Sequence, residues 1–178
     1  MKRLFITMLF ACAAVVAFAQ NSLLRQRMEI AEIETGEDNI HLQVFYMDDE
    51  SPRMYYLSLG DLGIGVEIVQ VHFDPIYELF IPLGNTLDDA IDKMTEIQGY
   101  YKQPRLWSTE ITGNFAVAYP SQDPITVTVT SRRLLTTRIL EFCIPADDLD
   151  RATHISRMDF TSLLNAVKLY RKIHPNEK

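Results

Sequence analysis

The chain has 178 residues, 47% of them hydrophobic and 23% charged, with a net charge of −7 and two cysteines. That length and balance exclude a disordered chain and suit one folded domain with a core of its own. The acidic balance argues against nucleic acid as a partner and against attraction to anionic lipid surfaces.

The first element in chain order is a secretion leader. Lys2 and Arg3 form a short positive start, Leu4 to Val16 is apolar except for Thr7, and Ala17-Phe18-Ala19 supplies the small-x-small pattern that signal peptidase accepts. The apolar run is shorter than the roughly 20 residues that span a bilayer, which separates it from a retained anchor. Cleavage is therefore expected between Ala19 and Gln20, leaving one α+β domain over residues 20–178 with no transmembrane segment. This leader resembles those of secreted proteins of Gram-negative bacteria, a resemblance confined to residues 1–20 that implies a periplasmic or secreted protein. Leu9-Phe10-Ala11-Cys12 also resembles a lipobox, whose cysteine would be lipidated and anchor the chain. Bulky Phe10 and the apolar run beyond Cys12 count against that alternative.

Loss of the leader removes two basic residues and no acidic ones, taking the net charge from −7 to −9. The remaining charge is uneven. Residues 20–100 carry 16 acidic and 4 basic side chains, whereas residues 101–178 carry 8 acidic and 11 basic ones. If the halves interleave in one fold, they neutralise each other. Cys143 is the one cysteine of the mature chain, so no internal disulfide can form. Its apolar flanks Phe142 and Ile144 fit a small buried hydrophobe.

Gln20 to Arg27 reads as a loose lead-in, and Met28 to Glu34 as a first strand. Ile40, Leu42, Val44 and Tyr46 alternate with His41, Gln43 and Phe45, the period-two signature of a strand. The turn formers Asp48 to Pro52 close it, and Arg53 to Leu59 is the next run. A Gly60 to Gly63 turn leads into Ile64 to Phe73, whose apolar positions switch face midway and so predict either a bulge or a strand buried on both sides. Ile76 to Leu83 follows. Thr86, Asp88 and Asp89 then open a helix over Thr86–Tyr101, with Leu87, Ala90, Ile91, Met94, Ile97 and Tyr101 along one face.

Trp107 to Tyr119 is the clearest strand, and Pro120 to Pro124 a turn. Ile125 to Thr130 and Leu134 to Ile144 are expected to pair as a hairpin. A second helix, Arg157–Ile173, starts at Ser156 and Asp159 with Ile155 and Phe160 at the staple positions, and stops at His174-Pro175. The order predicts an α+β fold: a mainly antiparallel sheet of about seven to eight strands with both helices packed on it. Glu78-Leu79-Phe80-Ile81-Pro82 resembles Glu141-Phe142-Cys143-Ile144-Pro145, and Leu87-Asp88-Asp89-Ala90 resembles Leu149-Asp150-Arg151-Ala152. These phrases raise the possibility of a diverged internal duplication.

The sequence holds no nucleophile elbow, Walker loop or His-Glu-x-x-His zinc helix. Gly60-x-x-Gly63-x-Gly65 leads into a strand, so it reads as a turn and not as a dinucleotide fingerprint. His41, His72, His154 and His174 fall in four segments with no metal-ligand spacing. Asp48-Asp49-Glu50 and Asp147-Asp148-x-Asp150 lack the spacing of a calcium loop. No cofactor, metal or catalytic residue is therefore assigned. Tyr55, Tyr56, Tyr100, Tyr101 and Trp107 remain as candidates for stacking a ligand, against the ordinary role of aromatics in completing a core. Neighbours in a strand point to opposite faces, so Tyr55 and Tyr56 are both buried only if both faces are covered. The functional expectation is an exported, non-catalytic envelope or periplasmic protein that binds or assembles with a protein or glycan. The alternative is a secreted hydrolase using Asp and Glu carboxylates.

Overall fold

Period-two alternation in the chain becomes an antiparallel meander. The computed structural model describes residues 26–34, 41–47, 52–60, 77–117, 119–121, 123–144 and 151–177. The expected leader with its Ala19–Gln20 junction, Cys12, the strand expected over Ile64–Phe73, His72 and both acidic clusters lie outside these residues. Among them the strands are β1 (Arg27–Glu34), β2 (His41–Met47), β3 (Met54–Leu59) and β4 (Tyr77–Gly84), then β5 (Ser108–Val117), β6 (Ile125–Leu134), β7 (Thr137–Ile144) and β8 (Arg151–Ser156). They form one sheet in sequence order, each strand antiparallel to the next. Helix α1 (Leu87–Tyr100) joins β4 to β5, and α2 (Arg157–Ile173) follows β8.

The inner face carries the alternating apolar set: Leu42 and Val44, Tyr55 and Leu57, Leu79 and Ile81, Val127 and Val129, Leu140 and Phe142, all buried in one core. Both helices lay their apolar stripes on it. Leu87, Ala90, Met94 and Ile97 of α1 are buried, as are Phe160, Leu163, Leu164 and Val167 of α2. Each such Leu or Phe contributes roughly 1.5–3 kcal/mol by leaving water. α1 packs on β3 and β4, whereas α2 touches β1 and β2 as well as β7 and β8. One helix can reach both ends of an eight-stranded sheet only if the sheet curls, and it does so as a half-barrel. Its edges β1 and β8 do not pair with each other. β1 is guarded by a register shift between Glu29 and Ala31 and by Arg27, Glu32 and Glu34.

Phe45, Met47, Tyr56 and Phe80 point from the opposite face and are buried too. Both faces are therefore covered at β2–β4, and both rings of Tyr55-Tyr56 are inside. β4 pairs with β5 only through Tyr77–Phe80 but with β3 from Leu79 to Gly84. Pro82 thus lies beyond the last β4–β5 pair, on a stretch that is an edge on that side, where proline is tolerated. Gly84 has φ 128°, and a Cβ there would stand 2.5 Å from that of Asp89. The close approach lets Thr86 and Asp89 complete their reciprocal cap: Asp89 N–H donates to Thr86 Oγ1 at 3.1 Å, and Thr86 N–H to Asp89 Oδ2 at 3.1 Å. The α2 cap differs from this. Ser156 Oγ accepts from Asp159 N–H at 3.1 Å, but Asp159 accepts from the Ser156 hydroxyl at 2.6 Å in place of a backbone amide.

One expectation needs correction, and the phrases that raised a duplication fall at different places in the element order. The element order does repeat as four strands and a helix, yet the similar phrases do not occupy equivalent places: Glu78–Pro82 lies in β4, immediately before a helix, while Glu141–Ile144 lies in β7, with β8 intervening. Ala152, the last residue of the second phrase, lies in β8. The hairpin turn also lies later than expected. β6 runs on through Ser131, Arg132, Arg133 and Leu134, and the chain reverses at Leu135-Thr136.

Candidate functional site

The misplaced turn matters because it changes which side chains meet. With the reversal at Leu135-Thr136, Arg133 on β6 pairs directly with Arg138 on β7, and Ser131 with Leu140. Residues opposite one another share a face, so two guanidinium side chains rise together from the inner face at this end. The loop from α1 to β5 closes over them. Leu106 N–H donates to Ser131 O at 2.8 Å, and Ser131 N–H donates to Trp107 O at 2.8 Å, which ties the loop to β6. Gln103, Arg105, Ser131, Arg132, Arg133 and Arg138 together line a recess of about 160 Å³.

The four arginines have unequal partners. Arg132, from the outer face, pairs with Glu141 at 2.7 Å. Arg138 donates to Tyr101 O, and to Gln103 O at 3.5 Å. It thereby supplies positive charge near the C-terminal end of α1, whose own last turn has no basic residue. Among the described residues, neither Arg105 nor Arg133 has a hydrogen-bond or ion-pair partner. Like charges directly opposite in a sheet repel. Such an arrangement is suited to an anion, which would bridge the guanidiniums with charge-assisted hydrogen bonds. The volume accommodates a phosphate, sulfate or carboxylate group but is well below the roughly 300 Å³ at which cofactor and drug-sized pockets begin.

Local backbone strain lies at the same end. Leu106 has φ 66° and Leu135 φ 54°, and they are the non-glycine residues with positive φ among those described. For a leucine the left-handed conformation costs about 1–2 kcal/mol. Leu135 occupies the first position of a two-residue hairpin loop, where a positive φ calls for glycine or asparagine.

The aromatic candidates divide. Tyr55, Tyr56 and Tyr101 are buried. Tyr101 completes the core by donating its hydroxyl to Ile155 O at 3.1 Å and Ser156 O at 3.3 Å, and burial pushes its pKa well above the ordinary tyrosine value. Tyr56 stacks on Phe45 at 5.6 Å, and Tyr55 lies 5.5 Å from the Tyr46 ring. Tyr100, at the end of α1, and Trp107, on the loop that borders the recess, alone come together as a half-exposed pair, with ring centroids 5.1 Å apart. Burial, aided by a hydrogen bond to Glu96, raises the Tyr100 pKa to about 12, so its hydroxyl stays protonated at neutral pH. Cys143 is half-buried, less enclosed than its apolar neighbours suggested. Among the described residues no group of three His, Cys, Asp or Glu side chains is placed to hold a metal ion, and no helix is long and apolar enough to cross a membrane.

The arginine recess was missed in the sequence because its residues are unremarkable there. The available signal was the basic surplus after residue 100, together with Arg132-Arg133 five residues before Arg138. No protein-family model, curated protein or solved structure matches this chain.

Proposed function

We propose that this chain is an exported, non-catalytic binding or assembly module of the periplasm or envelope, and that it takes hold of an anionic group in the recess formed by Arg105, Arg133 and Arg138. The leader supports the address. The observation that carries the binding role is the pair of opposed guanidiniums, Arg133 and Arg138, beside Arg105, which like Arg133 has no side-chain partner among the described residues. Among the part-buried carboxylates, Glu78, Glu141 and Glu177 each sit on a guanidinium, which favours a structural use of acid over an acid–base pair. The recess suits one charged group of a larger protein or glycan partner, such as a carboxylate, sulfate or phosphate.

Calorimetric titration of the chain from Gln20 with inorganic phosphate, at low ionic strength, tests this reading. Saturable binding is expected, weakened about tenfold in Arg133→Gln, the order of effect of losing one charge-assisted hydrogen bond. Binding that is absent, or equal in the two proteins, would remove the recess as the site.

A further inference from the structure

Behind the arginines, the same end of the sheet carries something that an anion site alone does not require. Leu135 is 92% exposed at the hairpin tip, Leu134 beside it is 49% exposed, and Leu106 on the facing loop is 63% exposed. Leu106 is hydrogen-bonded to Ser131, and at strand rise Leu134 lies about 10 Å further along β6. The three leucines therefore flank and extend beyond the recess. The other exposed large apolar side chains are scattered: Met28 on β1, Tyr119 after β5, and Met158, Leu169 and Ile173 along α2.

Resting on the reading of the recess as an anion site, we infer that this end is a membrane-docking tip: Leu134 and Leu135 enter the acyl region of a leaflet while Arg105, Arg133 and Arg138 hold the phosphates of anionic lipids and Leu106 lies at the level of the headgroups. The order of chemistry along the hairpin fits a bilayer surface. Apolar side chains stand foremost, and cations follow at the depth where headgroup phosphates lie. A free phosphate would occupy the recess but leave the leucines in water. A lipid phosphate satisfies both, because acyl chains are attached to the same group that the guanidiniums bind. Glu141, on the outer face of β7, is already held by Arg132 at 2.7 Å. The net charge of −7 pointed away from anionic lipids, but docking responds to the charge within a Debye length, about 10 Å, of the surface that is presented. The acidic remainder would then orient the protein tip-first.

Flotation of the chain from Gln20 with vesicles of equal parts phosphatidylglycerol and phosphatidylcholine, against phosphatidylcholine alone, is the test. Binding is expected to the anionic vesicles only and to weaken as salt rises. The double variant Leu134→Ser/Leu135→Ser should bind at least about tenfold more weakly, since each leucine loses its transfer out of water, and should keep its affinity for inorganic phosphate. Leu169→Ser, on α2, should change neither. If the wild type ignores anionic vesicles, or the double variant binds them as well as the wild type, docking is overturned. Phosphate titration of the same samples then separates the cases: retained phosphate binding leaves the recess standing, and its loss removes both.

Discussion

Arginine is used in two ways in this molecule. Arg27, on the outer face, donates to Glu78 through both terminal nitrogens at 3.1 and 3.0 Å, bonds to Gln43 and lies 4.2 Å over the Phe45 ring. Ser58 completes the set by donating to the same carboxylate. Near the end of α2, Arg53 covers the Tyr46 ring at 4.0 Å and pairs with Glu177 at 3.5 Å, and Arg171 grips Asp88 at 2.7 and 2.9 Å. These cations are matched to acids and rings distant in sequence, so they fasten β1 to β4, the C-terminal tail to the sheet, and α2 to α1. At the hairpin end Arg105 and Arg133 are matched to nothing among the described residues, beside two leucines with positive φ. Matched cations stabilise the fold. The unmatched ones fasten nothing, and the proposed binding role would supply the reason for their presence.

Breaking a matched set should give the largest effect. Glu78→Ala would leave Arg27 and Ser58 without their shared acceptor at a position only 16% exposed. A loss of about 2–4 kcal/mol is expected, somewhat under the range for a fully buried pair. Urea unfolding measures it. A loss below 1 kcal/mol would place Arg27 with the loosely held surface cations.

The pair at Asp88 sharpens the contrast through pH. The hydrogen bond from Arg171 holds the Asp88 carboxyl below its ordinary value of 3.8. A group with a depressed folded pKa stabilises fully above its unfolded pKa, and the contribution is lost as pH falls through the folded one. Wild type and Asp88→Asn should therefore differ most near neutral pH and converge as the pH drops below about 3.8. The gap is expected to be smaller than that for Glu78, since this pair is open to water. Unfolding midpoints across an acid series check it, and a constant gap would show that the charge of Asp88 is not what matters.

Most of the fold was legible because it rests on periodicity. Alternation located β2, β3, β4 and β5, and an apolar stripe behind Thr86 or Ser156 located both helices. What failed was chemistry that departs from local preference. Leu135-Thr136 contains no turn former, so the reversal was placed before Leu134 and the Arg133–Arg138 pairing was invisible. β8, at Arg151–Ser156, has polar residues on a short edge and no strong alternation, so it went unassigned. Tyr100 and Trp107 were named as candidates, but nothing in the spacing tells them apart from the buried Tyr55, Tyr56 and Tyr101. The distinction is whether another layer covers the ring, and that is a property of the whole fold. A site made of single arginines from a loop and two strands exists only after the register is set.

The smallest expected effect is the most discriminating. Arg133→Gln removes one of two opposed like charges and breaks no described bond, so stability should rise by about 0.2–0.5 kcal/mol at low salt. The gain should shrink at high salt, because the repulsion it relieves is screened over the few ångströms between the two side chains. The same change is expected to weaken the hold on phosphate. A residue whose replacement improves the fold and impairs binding is retained at the expense of stability, the trade expected of a site and not of a scaffold. A loss of 1 kcal/mol or more in urea unfolding would instead join Arg133 to Arg27 among the cations that fasten strands together.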